Sequence, residues 1–397
     1  MKNKTRVMIY EPYPFNEVAG NLRTLQYILK FLNKDEFEVM VVAPFNNKFK
    51  DRINEIGVTC DIVAPPERLQ RYGGQSLNDG IVGKFWSVIA LIKYGHKIRR
   101  YLKSNKIDVV YCNGIRSVMT VGIVAYLCRI PFLWYVKGQL EHRFYDMLAY
   151  LTASKILFYS EINSVDCYPR VRQFFSKKVE ILRTGIDLNE VKSIQTTNNS
   201  YLKKELAIVD NCVNIAYVGQ LYEPKGVHYL LEAFTKASLL NNNLRLFIIG
   251  SPIIDEYADY LNTLKMIISD NSIGDKVTFT GWRDDAMNII SLMDVIVHPS
   301  LAEGFSRSVL ESMALGKAVI ATGVGGERET IVNDKNGYLV KPKRADLICN
   351  HILKLSSDLP LMKKIGNEAR KTIISMHNIA DKVVRLGVIF QELKEIR

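Results

Sequence analysis

Short apolar runs alternate with amphipathic stretches along nearly the whole chain. Residues 7–10, 37–42, 58–63, 108–112, 132–136, 155–159 and 178–182 read as strands. Helical spacing separates several of them: one helix ends near Leu32, a long basic one covers about 84–104, and another spans 115–128. Parallel strands need a crossover that packs back on the sheet, so this alternation predicts a parallel sheet with helices on both faces. The polar patch QTTNNS at 195–200 predicts a linker. The pattern then restarts, with strands at 213–218, 244–249 and 276–280, a helix over 226–238 and another ending near Asp270. No short-period repeat is present. At 397 residues the chain is too long for one ordinary core. Two domains are expected, 1–195 and 196–378, followed by an apolar-striped run at 379–397.

One stretch concentrates the chemistry. Residues 294–340 read DVIVHPSLAEGFSRSVLESMALGKAVIATGVGGERETIVNDKNGYLV. The run 294–298 predicts a buried strand, stopped at Pro299 because proline lacks the ladder N–H. A loop with Glu303, Gly304 and Phe305 follows. Ser306 is placed to cap a helix that Gly316 terminates. Another strand, 318–321, leads to the pair Gly325-Gly326 and a second short helix. Strand, loop and helix start, used twice, predict an anion site, because free N–H groups and the positive end of the helix dipole converge where strands end. Glu303 and Glu311 share this element. A carboxylate is a poor phosphate ligand but a good acceptor for sugar hydroxyls. Together these features suit a ligand with phosphates and hydroxyl-rich rings, a nucleotide sugar.

The spacing of Glu303 and Glu311, set between that strand and the double glycine, resembles the E-x7-E motif of the retaining glycosyltransferases of family four. The resemblance is clear over 213–345 and loose before 180. It implies the GT-B fold, two Rossmann-like domains facing across a cleft, with the acceptor on the first, the donor on the second and the last helix packed back on the first. It also implies site roles. Glu303 would hold the sugar and Glu311 the ribose hydroxyls, while Lys225 and the two helix starts would take the diphosphate. Gly219, Gln220, Gly304, Phe305, Ser306 and Arg307 would line the donor site. Gly20 stands where the family has a glycine-rich turn, and Trp282 and Arg283 where it places the base. The family needs no metal and no cofactor beyond its donor, and is thought to react by front-side attack with the departing phosphate as base.

Two positions depart from that pattern. The segment VGQLYEPKG keeps the lysine, Lys225, but carries Gln220 where the family has arginine. A hydrogen bond to a charged group contributes about 1.5–3 kcal/mol, against about 0.5–1.5 for a neutral one. A substitute cation is therefore expected, and Arg307 and Arg328 are nearest in sequence. In PFLWYVKGQLE, Lys137 takes the place of a histidine that faces the reacting sugar. These departures leave open a non-catalytic partner subunit on the same fold, and the architecture leaves open a nucleotide-sugar epimerase. A dehydrogenase is disfavoured, since no G-x-G-x-x-G follows the first strand.

Composition narrows the setting. An apolar content of 48% with 24% charged residues is that of a soluble globular protein, not a disordered one. The six cysteines are scattered with no C-x-x-C pair, which predicts a reducing cytosol rather than zinc or disulfides. Lys2, Lys4 and Arg6 lead into too short an apolar run for a secretory signal. The run 118–136 is interrupted by Arg129 and Pro131, so it reads as a buried helix and strand rather than a membrane span. The net charge of +12 is uneven: residues 1–195 hold 29 Lys and Arg against 18 Asp and Glu, and residues 196–397 hold 24 against 23. No nucleic-acid-binding pattern accompanies it. Residues 84–106 carry seven cations and no acid, with Phe85, Trp86, Ile89, Ile92 and Leu102 alongside. An ordinary amphipathic helix with a basic face explains this. So does contact with an anionic membrane surface at the inner face of the plasma membrane, which would suit a lipid-linked or glycan acceptor in cell-surface polysaccharide synthesis.

Overall fold

The computed structural model describes residues 3–12, 20–46, 48–69, 80–136, 140, 143–166, 169–209, 211–252 and 257–396. Its strands form two parallel sheets. The first contains β1 (Thr5–Tyr10), β2 (Phe37–Ala43), β3 (Cys60–Ile62), β4 (Val109–Asn113), β5 (Phe132–Val136), β6 (Lys155–Phe158) and β7 (Val179–Ile181), in the order β3-β2-β1-β4-β5-β6-β7. The second contains β8 (Val213–Val218), β9 (Leu244–Ile249), β10 (Val277–Gly281), β11 (Val295–His298), β12 (Ala318–Thr322) and β13 (Tyr338–Val340), in the order β10-β9-β8-β11-β12-β13. Strands of this kind are covered on both faces, so they read as continuous apolar runs rather than as alternating ones. Every residue of β4, β5, β11 and β12 is buried.

The chain divides into two units, Met1–Arg183 with Ala380–Arg397, and Thr184–Ile379. The division thus falls before the expected linker. The helix Leu188–Thr196, capped by Asp187, already belongs to the second unit, where Val191 and Ile194 join the cluster of Leu310 and Met313. The polar patch that suggested a linker is polar for another reason. Asn199 is buried and bonds Ser291 Oγ at 3.1 Å, tying down the start of the helix Ser200–Glu205. The run 118–136 separates into helical turns and β5. Among the described residues no helix is long and apolar enough to cross a membrane.

Within the first unit, the returning end of the chain completes the core. In the helix Ile379–Glu395, Phe390 is fully buried, with its ring 6.0 Å from Phe37 and 6.4 Å from Tyr111. Thr5 Oγ1 donates to Gln391 Oε1 at 3.0 Å, and Arg385 holds Glu180 through Nε at 2.6 Å and Nη2 at 2.9 Å. Emptying the Phe390 site removes transfer energy and leaves a cavity. Phe390→Ala should therefore lower stability by about 3–5 kcal/mol. Denaturant unfolding checks this; an unchanged midpoint would mean the helix contributes nothing to the first core.

Candidate functional site

The strand order of the second sheet reverses between β8 and β11. The chain runs outward from β8 to β9 and β10, then returns to lay β11 on the other side of β8. Loops leaving two such strands diverge and open a crevice at their carboxyl ends, where ligands of open α/β sheets bind. Here Lys225 follows β8 and Glu303 follows β11, and their side chains meet: Lys225 Nζ lies 2.5 Å from Glu303 Oε2. The two loops are also joined through backbone, with Leu301 N–H donating to Pro224 O at 2.7 Å. Gly226, at φ +66°, makes the approach possible, since a Cβ there would sit 2.2 Å from Pro299 O.

Every hydrogen-bonding or ionic contact of Glu303 among the described residues converges on Oε2. Besides Lys225, Ser300 Oγ donates to it at 3.4 Å and His298 Nε2 lies 3.6 Å away. Ser300 Oγ in turn is 3.0 Å from His298 Nε2, and the His298 ring lies nearly parallel to that of Tyr217. Burial opposes ionisation of Glu303, but the Lys225 charge and His298 outweigh it and lower the carboxyl to about 2. Lys225 is correspondingly raised: desolvation disfavours its charge, and Glu303 more than restores it. The Tyr222 ring stands 5.7 Å from the ammonium.

The glycine pair after β12 presses on the same loop. Gly326 N–H donates to Gly304 O at 2.8 Å, and Ser306 N–H donates to Glu327 Oε1 at 2.7 Å. A Cβ on Gly326 would lie 2.1 Å from the Phe305 ring, and one on Gly325 would lie 2.6 Å from both Gly304 O and Glu327 Oε2. Ser306 caps the helix Arg307–Ala314, its Oγ accepting from Val309 N–H. The helix after the glycine pair is a single turn, Glu327–Thr330, so it offers little dipole of its own.

The candidate residues therefore fall into groups. Lys225, Glu303, Gly304, Phe305 and Ser306 come together with His298 and Glu327, neither of which the sequence pattern singled out. A histidine closing a buried strand, and a glutamate directly after a glycine pair, were the available signals. Arg307 and Glu311 face each other one turn apart, Nη2 to Oε1 at 3.1 Å, both largely buried. Arg328 is exposed, and its Nε donates to Gly325 O. Gly219 and Gln220 close β8, where Gln220 O accepts from Tyr217 Oη at 2.7 Å. Trp282 and Arg283 follow β10, the edge strand. Arg283 is held there by Asp285, at 2.7 Å, and by Glu205. Gly20 opens the helix Gly20–Phe31 of the first unit. Lys137 lies outside the described residues.

The two doubly covered parallel sheets, one carrying this loop cluster, define a GT-B architecture. Solved glycosyltransferase structures share it. HepE of Anabaena in complex with UDP-glucose superposes with a TM-score of 0.79 over 98% of this chain and 99% of that one, at 18% identity. A glycosyltransferase from Rickettsia africae gives 0.81 over the same shares, at 19% identity. Residues 200–372 match the family described as Glycosyl transferases group 1. The capsular polysaccharide biosynthesis glycosyltransferase CapM of Staphylococcus aureus is 29% identical over 90% of each chain. The UDP-Gal:alpha-D-GlcNAc-diphosphoundecaprenol alpha-1,3-galactosyltransferase of Escherichia coli is 22% identical over 77% of this chain and 81% of its own.

The ion pair yields a stability prediction. Glu303 is depressed in the folded chain, so its contribution is present above its ordinary value near 4.5 and is lost as pH falls toward about 2. Lys225→Met leaves the carboxylate buried without its cation, which should cost about 3–5 kcal/mol at neutral pH. The variant's acid unfolding should also begin at higher pH. Denaturant titrations at a series of pH values decide this; superimposable wild-type and variant acid profiles would refute the pairing.

Proposed function

We propose that this chain is a retaining glycosyltransferase that moves a sugar from a nucleotide-diphosphate donor to a glycan or lipid-linked acceptor in polysaccharide synthesis. The observation that carries the proposal is the Lys225–Glu303 pair at the strand-order reversal. It supplies one cation and one oriented carboxylate beside a capped helix start. An ammonium with three N–H groups gives one to Glu303 and keeps others for diphosphate oxygens, where negative charge grows as the glycosidic bond breaks. Glu303 Oε1 is the oxygen left for a sugar hydroxyl. Glu311 is assigned to the ribose hydroxyls, and Arg307, paired with it, is the substitute cation this reading calls for in view of the neutral Gln220. Sugar attack proceeds from the acceptor on the face the phosphate leaves, with that phosphate as base. No step is assigned to a metal or a further cofactor.

Kinetics on two variants test the roles. Ribose contacts are alike in ground and transition states, whereas the sugar is what moves. Glu311→Gln should therefore raise the donor KM with little change in kcat, and Glu303→Gln should lower kcat at least ten-fold. The reverse pattern would exchange the two assignments, and no transfer or donor hydrolysis by the wild type with any nucleotide sugar would remove the proposal.

The acceptor's setting is the second part of the reading. The helix Ile81–Ser104 buries Ala90, Tyr94, Ile98 and Leu102, and turns the opposite side to solvent. Along that outward side Phe85, Trp86, Val88 and Ile92 are each more than half exposed, and Lys93, Lys97, Arg99, Arg100 and Lys103 follow. Aromatic and aliphatic groups beside unopposed cations suit the interface of an anionic leaflet. Each engaged cation contributes about 1 kcal/mol there. These features support reading the protein as a peripheral enzyme at the inner membrane face. Sedimentation with vesicles tests it. Binding should require anionic lipid, fall at high salt, and weaken when Lys97, Arg99, Arg100 and Lys103 become Gln; equal recovery in the supernatant throughout would exclude the docking surface.

A further inference from the structure

Glu327 is a second carboxyl in the Lys225–Glu303 cluster, and the roles assigned above leave it unused. It is fully buried. One oxygen, Oε1, accepts from Ser306 N–H at 2.7 Å, while Oε2 is buried without a hydrogen-bond partner among the described residues. The charged and titratable groups that act on it are His298 and Glu303, and it in turn acts on Lys225. Lys225, the cation of this group, is committed to Glu303 at 2.5 Å. A charge on Glu327 would therefore lie in a desolvated pocket, next to another anion and without a cation of its own, which is strongly unfavourable.

The location makes this carboxyl consequential. Ser306 N–H to Glu327 and Gly326 N–H to Gly304 O are two rungs that fasten the loop bearing Glu303 to the segment after β12. Gly325 and Gly326 leave no space to slide, because a Cβ at either would strike this loop.

We propose that Glu327 is a positioning residue that works as an uncharged acid, one oxygen fixing Ser306 and with it the Glu303 loop, the other carrying the proton. In this form Glu303 is the one carboxylate that draws on Lys225, and the donor's diphosphate meets no second anion. Burial, with Glu303 adding to it, raises the Glu327 carboxyl above its ordinary range against the pull of His298. Loss of that proton makes Glu327 compete with Glu303 for the ammonium.

The sign of the pH effect follows. A carboxyl raised in the folded state contributes stability that is fully present below its unfolded value and is lost as pH rises through the folded one. Glu327→Gln keeps the acceptor for Ser306 and cannot ionise; Glu327→Ala loses the acceptor. Melting temperature against pH should fall for the wild type above the ordinary carboxylate range relative to Glu327→Gln, and this comparison needs no activity. The kinetic arm rests on the glycosyl-transfer reading. There, Glu327→Ala should lower kcat at least ten-fold with a smaller change in donor KM. Glu327→Gln should lower kcat/KM no more than about three-fold and flatten the alkaline fall of the profile. Comparing the two curves isolates Glu327 from Lys225, Glu303 and His298, which both proteins share. Parallel melting curves, an alkaline fall retained in Glu327→Gln, or equal losses in Gln and Ala would each overturn the proposal. A wild type inactive on every nucleotide sugar, with the melting difference present, would leave this inference standing and remove the transferase reading instead.

Discussion

An ammonium and a carboxylate 78 residues apart, Lys225 and Glu303, meet at 2.5 Å because the second sheet reverses its strand order between β8 and β11. The rest of the site is arranged around that meeting. Gly226 gives up its side chain so that the loop after β8 can lie against Pro299. Ser300 donates to Glu303 Oε2, and His298 stands behind it, within hydrogen-bond distance of Ser300 Oγ. The glycine pair after β12 closes over the loop from the other side. Each of these would be an odd choice in isolation, and each follows once the two charges must be held together out of bulk water.

The same pocket shows why charge has to be apportioned. Two carboxyls and one lysine share a desolvated volume, and two buried anions cannot both be stabilised by one cation already in contact with one of them. Glu303 lies below its ordinary range and Glu327 above it, set apart by which of them reaches Lys225. Environment, not residue type, separates their parts. Arg307 and Glu311 form an ion pair of their own on the neighbouring helix, so each acid of the E-x7-E spacing comes with a basic partner.

Much of the architecture was legible in the sequence because parallel strands are buried on both faces and announce themselves as apolar runs. The stretch from β11 to β12 was the clearest, since a capping serine, a terminating glycine and two acids all fall in register there. The polar patch at 195–200, read as a linker, holds Asn199 in a buried hydrogen bond, and the chain divides before it, between Arg183 and Thr184. The short β13 and the helix Lys48–Glu55 carried too little pattern to be foreseen. His298 and Glu327 escaped for a different reason. A histidine closing a buried strand and a glutamate after a glycine pair are weak signals, and their part shows only in the contacts with Tyr217, Ser300 and Ser306 that the fold brings about. Phe85, Trp86 and Ile92 were visible only as apolar residues on a helix, and their turn toward solvent belongs to the packing of Tyr94, Ile98 and Leu102 beneath them.

The first unit is built from both ends of the chain, with residues 184–379 inserted between them. This has a consequence for synthesis on the ribosome. The second unit is continuous in sequence and holds all its own strands, so it can fold as soon as it has emerged. The first sheet emerges earlier but waits longer. Phe37 and Tyr111 lack the ring of Phe390, and Thr5 lacks Gln391, until residues 380–395 leave the exit tunnel. Until then the patch around Phe37 and Tyr111 stays uncovered, and the half of the protein made first is the half completed last.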